Sequence, residues 1–446
     1  MSKRPRKPLS ELIDVKHGFA FSGEHIRDER SRDILLTPGN FAIGGGFKGG
    51  KFKYYDGEVP EGFVLSEGDL IVTMTDLSKQ ADSLGYPAIV PSSLGARFLH
   101  NQRIGKVVIK PGVELDKGYL YYLLRTDEYR HEVVASASGT TVKHTSPSRI
   151  LAYKAPIPSL AEQKAIAAIL GSLDQKIELN QQMSMTLEEM ARALFQSWFV
   201  DFDPVRAKVD DHTPFMLDAE TSNLFPARFQ ESQLGHIPSG WTAGTFGSVI
   251  SSKRERVVNE DVVVLSAVAR SQLIRSEDHF RKQVYSKSVR NYLKVRRWDF
   301  AYNPSRINIG SVGMLKKNII GAVSPIYEVF RPISGYHWFV ERAISEPDTR
   351  VQIQTLCSGS VRQSLKLQDL LSIPLVIPPP LVVNAFNVAW ERWSELIHAY
   401  QVESSALAAL RDTLLPELLG DKASTSTPGL NRCPTEARAI SAELAG

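Results

Sequence analysis

Residues 45–51 nearly form a phosphate-cradling loop: Gly45, four residues, Gly50 and Lys51. That chemistry needs a Ser or Thr next, whose hydroxyl holds magnesium, and a helix behind it. Here Phe52 follows and no helical pattern does, which argues against phosphate cleavage. Asn303-Pro304-Ser305 resembles only superficially the Asn-Pro-Pro-aromatic motif of adenine methyl transfer. The second proline and the aromatic are missing, and no glycine-rich cofactor loop follows a strand upstream. His131-Glu132 lacks the second histidine of a zinc-protease helix, and nothing resembles a nucleophile elbow. Two cysteines, Cys357 and Cys433, cannot build a disulfide framework or a four-ligand zinc site. Cys357 reads as a small packing residue. A long chain without a catalytic constellation favours binding over catalysis.

Charge distribution says what could be bound. Residues 253–317 hold fifteen Lys or Arg against six acidic residues, a net of +9, although the whole chain carries only +4. Clustered cations neutralise phosphates and release counterions, the electrostatic signature of nucleic-acid binding; a solvated surface is the alternative. Residues 161–203 carry −4 and residues 381–420 carry −3. Acidic helices would be repelled by DNA and suit protein contact or spacing. In IGGGFKGGKFKYY (43–55), lysines alternate with aromatics among glycines. Glycine lets backbone approach phosphate, but an exposed hairpin explains the segment equally well.

The elements that must position these residues repeat at an offset of 220. Residues 138–170 and 358–390 share Ser138/Ser358, Gly139/Gly359, Ile150/Leu370, Leu151/Leu371, Ile157/Ile377 and Pro158/Pro378 in register. Each copy runs from a Ser-Gly turn through an apolar stretch and a Pro-rich segment into a helix. Gly118-Tyr119 and Gly335-Tyr336 precede the two turns at slightly different distances. Within the helices, Ile166, Leu170, Leu173, Ile177, Asn180, Ser184, Leu187, Ala191 and Leu194 alternate spacings of four and three. The positions 220 further on are Phe386, Trp390, Trp393, Ile397, Tyr400, Ser404, Leu407, Arg411 and Leu414. Such a heptad seam packs helices side by side at a shallow angle, and its polar members Asn180 and Arg411 can set register at a cost in stability. Prolines 204 and 416 are expected to stop or kink the helices, giving each about 35 residues and about 50 Å.

A chain of 446 residues, 43% hydrophobic and 23% charged, suits two to four soluble domains. No apolar run approaches a membrane span, no secretory signal follows the basic start, and scarce cysteine suits a reducing cytoplasm. The two remaining regions, about 1–157 and 231–377, are rich in short β-prone runs such as 68–73, 103–109, 262–265 and 322–330, with helical stretches among them. Residues 201–230 read as a connector, and residues 421–446 as a disordered tail.

This plan of globe, Pro-x-Pro with long helix, connector, globe and Pro-Pro with long helix resembles the specificity subunit of type I restriction–modification enzymes. The resemblance rests on PIPSLAEQKAIAAILGSLDQKIELNQQM (156–183), ALFQSWFVDFDPVRAK (193–208), LGHIPSGW (234–241), GAVSPIYEVFRP (321–332) and LSELIDVKHGFAFSGEHI (9–26), and covers the chain through about Gly420. Val382-Val383 stand where Glu162-Gln163 stand in the first copy. What the resemblance implies is an α+β chain with a pseudo-twofold internal repeat. Two globular target recognition domains (1–157 and 231–377) would be separated by two long antiparallel coiled-coil helices (158–200 and 378–420). Each domain would read half of a split, asymmetric DNA site, and the helices would set the unread spacer. Two modification subunits would dock on the helices, bringing S-adenosylmethionine and adenine methylation. Two restriction subunits would bring ATP- and magnesium-dependent translocation and cleavage. No catalytic site, cofactor or metal is expected in this chain.

Candidate DNA contacts are Arg254, Arg256, Arg270, Arg275, Arg306 and Lys316 in the second globe, and Lys48, Lys51, Lys53 and Arg103 in the first. Arg is favoured over Lys at guanine because its planar fork bonds O6 and N7 together. Lys143-His144 and Arg362-Gln363 occupy equivalent positions and either touch DNA or solvate a turn. The seam residues double as candidates for subunit docking. Competing readings are a self-contained methyltransferase or nuclease with fused specificity domains, and a protein–protein scaffold.

Overall fold

The computed structural model describes residues 4–78, 80–92, 95–213, 217–258, 261–268, 272–279, 289–357 and 364–420. The chain folds as two compact units, Met1–Asn180 with Val402–Gly446, and Gln181–Gln401. The division falls within both long helices, Leu160–Phe199 and Pro380–Leu419, so each helix serves both units.

In the first unit the apolar stretches around Gly18 and Gly105 form an antiparallel sheet in the order Ile13–His17, Ile104–Ile109, Leu70–Thr73, Pro87–Ile89. A second sheet runs Ile26–Arg27, Lys53–Tyr55, Asp33–Leu35, Arg97–Leu99, Val64–Leu65, with one parallel pair at Asp33–Leu35 and Arg97–Leu99. Leu70, Val72, Tyr119, Leu120, Tyr129 and Ile150 fill the core between strands and helices. The strand Lys154–Pro156 pairs with Arg6–Pro8 and feeds the first long helix.

The second unit repeats this order. Ile250–Ser252, Glu328–Pro332, Phe300–Tyr302 and Val312–Met314 make the antiparallel sheet. Gln272–Arg275, Val263–Val268, Gly321–Val323 and Leu293–Val295 make the other, again with one parallel pair. Thr242–Thr245 pairs with Pro374–Ile377 ahead of the second long helix. The repeat, which the sequence shows in strict register from residue 138 and more loosely from Gly118-Tyr119, therefore extends through both heads.

Each unit contains an antiparallel helix packing. In the first, Ile166 and Leu170 are buried with Leu419, and Leu414, Leu415 and Leu418 pack against them. In the second, Phe195, Trp198 and Phe199 surround Phe386 at ring-centroid distances of 5.7, 6.4 and 5.3 Å, and Trp390 joins the same core. Of the seam positions, Ile166, Leu170, Phe386, Trp390 and Ile397 are buried, and Leu173, Ile177, Leu187, Leu194, Trp393, Leu407 and Leu414 half-buried. A 4–3 apolar spacing produces this because it keeps one stripe facing the partner.

The prolines act differently from expectation. Each long helix has 40 residues, about 60 Å. The first ends at Phe199, short of Pro204, which instead opens the helix Asp203–Val209, where its missing N–H costs nothing. The second runs through Pro416 to Leu419, so a proline near the end of a packed helix neither stops it nor shortens it. The stretch expected as a connector is packed: Phe202, Val205 and Phe225 are buried with Trp241 in the second unit's aromatic core. The expected tail, 421–446, lies outside the described residues.

Candidate nucleic-acid interface

In the first head, Lys48 and Lys51 are exposed on the glycine loop. Buried Asn40 pins that loop by donating to the carbonyls of Lys48 and Lys51 at 3.4 and 3.3 Å, and Phe47 and Phe52 pack against Phe98. Lys53 is paired with Asp28 at 2.5 Å, which offsets its charge. Arg103 is exposed in the turn before Ile104–Ile109, and its carbonyl accepts from Met74 N at 2.9 Å. Lys143 and His144 form a short strand opposite Asp76 and Thr75, and His144 Nδ1 lies 3.1 Å from Thr75 Oγ1. The structure thus brings Arg103, Lys143 and His144 to one end of the antiparallel sheet. Beside them, burial acts to raise the Asp76 carboxyl, but hydrogen bonds from Ser78 and Ser83 outweigh it and hold the group ionised below the usual carboxylate range.

The glycine loop is anchored elsewhere. Gly46 N donates to Pro87 O at 2.8 Å, and Arg125 Nε donates to Gly44 O at 2.7 Å. Gly45 sits at φ +91°, and a Cβ there would stand 2.8 Å from Arg125 Cγ, so the loop lies directly on that side chain. Arg125 Nη1 in turn donates to Asp174 Oδ2 at 2.7 Å.

In the second head, Arg254 pairs with Glu328 at 2.8 Å, leaving its side chain largely exposed. Arg256 and Arg306 are exposed, with no ion-pair partner among the described residues. Arg275 is exposed at the end of Gln272–Arg275. Lys294 and Arg296 converge on Glu255 at 2.8 and 2.9 Å and lower its pKa by hydrogen bonding. Lys316 is committed to Glu341 at 3.0 Å and lies 4.8 Å from the Trp338 ring centroid. Arg270, Arg362 and Gln363 lie outside the described residues. Among the described residues, four cations of the +9 region, Arg254, Lys294, Arg296 and Lys316, are therefore paired with Glu328, Glu255 or Glu341.

The sequence marked the two helix starts and the Gly-Tyr pairs without showing what they contact. Buried Gln163 accepts from Asp116 N at 2.8 Å and donates to Pro158 O at 2.9 Å, while Glu162 pairs with Arg4. Val382 and Val383, in the equivalent positions, are instead buried among the second unit's aromatics, so the two helix starts do not make the same contacts. The tyrosines of the repeated Gly-Tyr pairs do act alike: Tyr119 donates to Pro156 O at 2.6 Å and Tyr336 to Pro378 O at 2.7 Å. That equivalence could have been found from the Gly-Tyr repeat; Arg125 and Asp174 could not.

Two heads of one strand order, each with exposed cations at a sheet end and each sharing both long helices, make this a duplicated binding protein. A family model described as the type I restriction modification DNA specificity domain matches residues 8–189. The HindI type I restriction enzyme specificity subunit of Haemophilus influenzae is 26% identical over 374 residues, covering 70% of this chain and 79% of that one. The EcoBI specificity subunit of Escherichia coli is 22% identical over 394 residues, covering 84% and 75%. The crystal structure of a type I restriction–modification S subunit from M. genitalium shares the fold at a TM-score of 0.54 and 16% identity, over 95% of this chain and all of that one. Residues 8–189 thus match the type I restriction modification DNA specificity domain, and most of the chain is similar to specificity subunits of type I restriction enzymes.

Proposed function

We infer that this chain supplies sequence recognition, and not catalysis, to a type I restriction–modification complex. Each head reads one half of a bipartite, asymmetric DNA site, and the long helices set the unread spacer between the halves. The observation that carries this reading is the repeated strand order on two shared helices, because one polypeptide then offers two similar but non-identical heads. Two modification subunits docking on the long helices would bring S-adenosylmethionine and methylate adenine, with the target base flipped into their own site. Two restriction subunits would add ATP- and magnesium-dependent translocation and cleavage, and the complex would work in the cytoplasm. Exposed apolar side chains on the helices, including Ile169, Leu179, Met183, Val388 and Leu396, supply a surface for such docking. Footprinting the assembled modification complex tests the reading. Two short protected blocks flanking an unprotected spacer are expected; sequence-independent protection, or none, would make the chain a scaffold instead.

A further inference from the structure

The bonding within the two heads allows their positions to be matched one for one. Thr145 N donates to Met74 O at 2.9 Å, and Leu365 N, 220 residues on, donates to Pro304 O at 3.1 Å. Val90 N donates to Asp69 O and Leu315 N to Asp299 O, both at 2.9 Å. Leu70 stands opposite Val107 as Phe300 stands opposite Phe330. On this register Met74 matches Pro304, Asp76 matches Arg306, and the turn holding Arg103 matches the one holding Ile326.

The scaffold agrees while the exposed side chains at this sheet end disagree. The first head presents Arg103, with Gln102 beside it and Phe19 bonded to the same turn through Gln102 N to Phe19 O at 2.9 Å. It turns its acid inward, since Asp76 is buried and held by Ser78 and Ser83. The second head puts exposed Arg306 at the position of Asp76, and exposed Ile326 in the turn that carries Arg103. A common frame with exchanged donors and apolar groups is what reading two different half-sites requires, because base edges differ in donors, acceptors and the thymine methyl. The glycine loop, Arg275 and Lys316 do not belong to this end.

We propose that this sheet end is the base-reading surface of each head, with Arg103 and Arg306 as the principal base-contacting side chains for the two halves of the site in duplex DNA. The assignment rests on the functional reading above and narrows it: Lys48 and Lys51 then position phosphate without reading sequence.

Selection from a randomised duplex library by the full-length chain, alone and assembled with modification subunits, tests the assignment. Arg103→Ala should lower discrimination at one or two positions of a single half-site by about ten- to a hundredfold, leaving the other half intact. Arg306→Ala should do the same for the opposite half. Arg103→Lys keeps the charge and loses the fork, so it should retain affinity yet lose the same preference. Lys51→Ala should weaken all sequences alike and reduce the salt slope by about one. A wild-type chain that selects a split motif, with Arg103→Ala and Arg306→Ala unchanged in preference, would place base reading elsewhere. Loss of both half-sites from either single variant, with unfolding curves matching wild type, would also overturn it. A wild-type chain that selects no motif would sink the functional reading itself.

Discussion

Asp174 and Arg411 face each other across the two long helices within the first unit, with Arg411 Nη1 donating to Asp174 Oδ1 at 2.7 Å. The same carboxylate accepts from Arg125 Nη1 at 2.7 Å and from the Tyr122 hydroxyl at 2.9 Å. One acid thus ties the first head to both helices. Further along the first helix, buried Asn180 donates to Glu403 Oε2 at 2.8 Å and Lys176 approaches the same carboxylate at 3.3 Å. Both polar seam residues singled out in the sequence therefore meet a charged partner on the opposite helix. Shifting one helix by a heptad would separate these pairs, so they specify register as well as stability.

Removing the acid should leave buried Arg125 with neutral hydrogen-bond partners only and Arg411 with Asp412 as its one remaining carboxylate among the described residues. Asp174→Ala is expected to destabilise the chain by about 3 kcal/mol, read from urea unfolding. An unchanged midpoint would mean that solvent already satisfies the arginines.

The same group predicts a pH dependence. Burial raises the Asp174 carboxyl, but Arg125, Arg411 and Tyr122 more than reverse this, leaving its folded pKa below the ordinary value. A carboxylate depressed in the folded state stabilises above its unfolded pKa, near 4, and loses that contribution as pH falls through the lower folded value. Acid unfolding of wild type should therefore steepen below about pH 4. Asp174→Asn should be flatter there, which parallel titrations by circular dichroism would register.

Tyr119 and Tyr336 make one test in two places, since each hydroxyl is the tether to a proline carbonyl ahead of a long helix. Tyr119→Phe and Tyr336→Phe should each cost about 1 kcal/mol, because a buried carbonyl loses its donor. Differential scanning calorimetry of both single variants would check the match; a loss confined to one would show that the tethers are not equivalent.

Gly139, the repeated glycine of the first Ser-Gly turn, sits at φ +96°, and a Cβ there would stand 2.0 Å from Val142 O. Gly139→Ala should displace the Lys143–His144 strand at a cost of about 2 kcal/mol. It should also blunt recognition of one half-site, as the same library selection would show.

Helix length should govern the spacer. Deleting residues 179–185 together with 399–405 removes one heptad from each helix and takes out Asn180 and Glu403 together. About 10 Å is lost, or about three base pairs of duplex. The selected motif should keep both half-sites and shorten its gap by about that amount; loss of both half-site preferences would count against the ruler.

Much of the architecture was legible because periodicity is a local property. The 4–3 spacing from Ile166 to Leu194 and from Phe386 to Leu414 marked two helices and the faces they bury, and the Ser-Gly to Pro-rich order marked the duplication. The heads were harder. Their strands are two to six residues long, and equivalent positions such as Gly68 and Trp298 share a left-handed backbone without sharing chemistry, so no residue identity announces the match. The candidate contacts divided accordingly. Charge density marked Arg254, Arg256, Arg306 and Lys316 alike, and it could not tell that Glu328 engages Arg254 and Glu341 engages Lys316 while Arg256 and Arg306 have no ion-pair partner among the described residues.

By itself the amino-acid order determined the two long helices, the doubled plan and the concentration of positive charge, since each follows from spacing or composition along the chain. Only the tertiary structure decided which cations stay exposed and which neutralise buried acids, and that Asp174 gathers Arg125 and Arg411 around one carboxylate. Those outcomes depend on pairings across tens to hundreds of residues, where burial and hydrogen-bond geometry, set by the whole fold, select a partner that linear proximity cannot name.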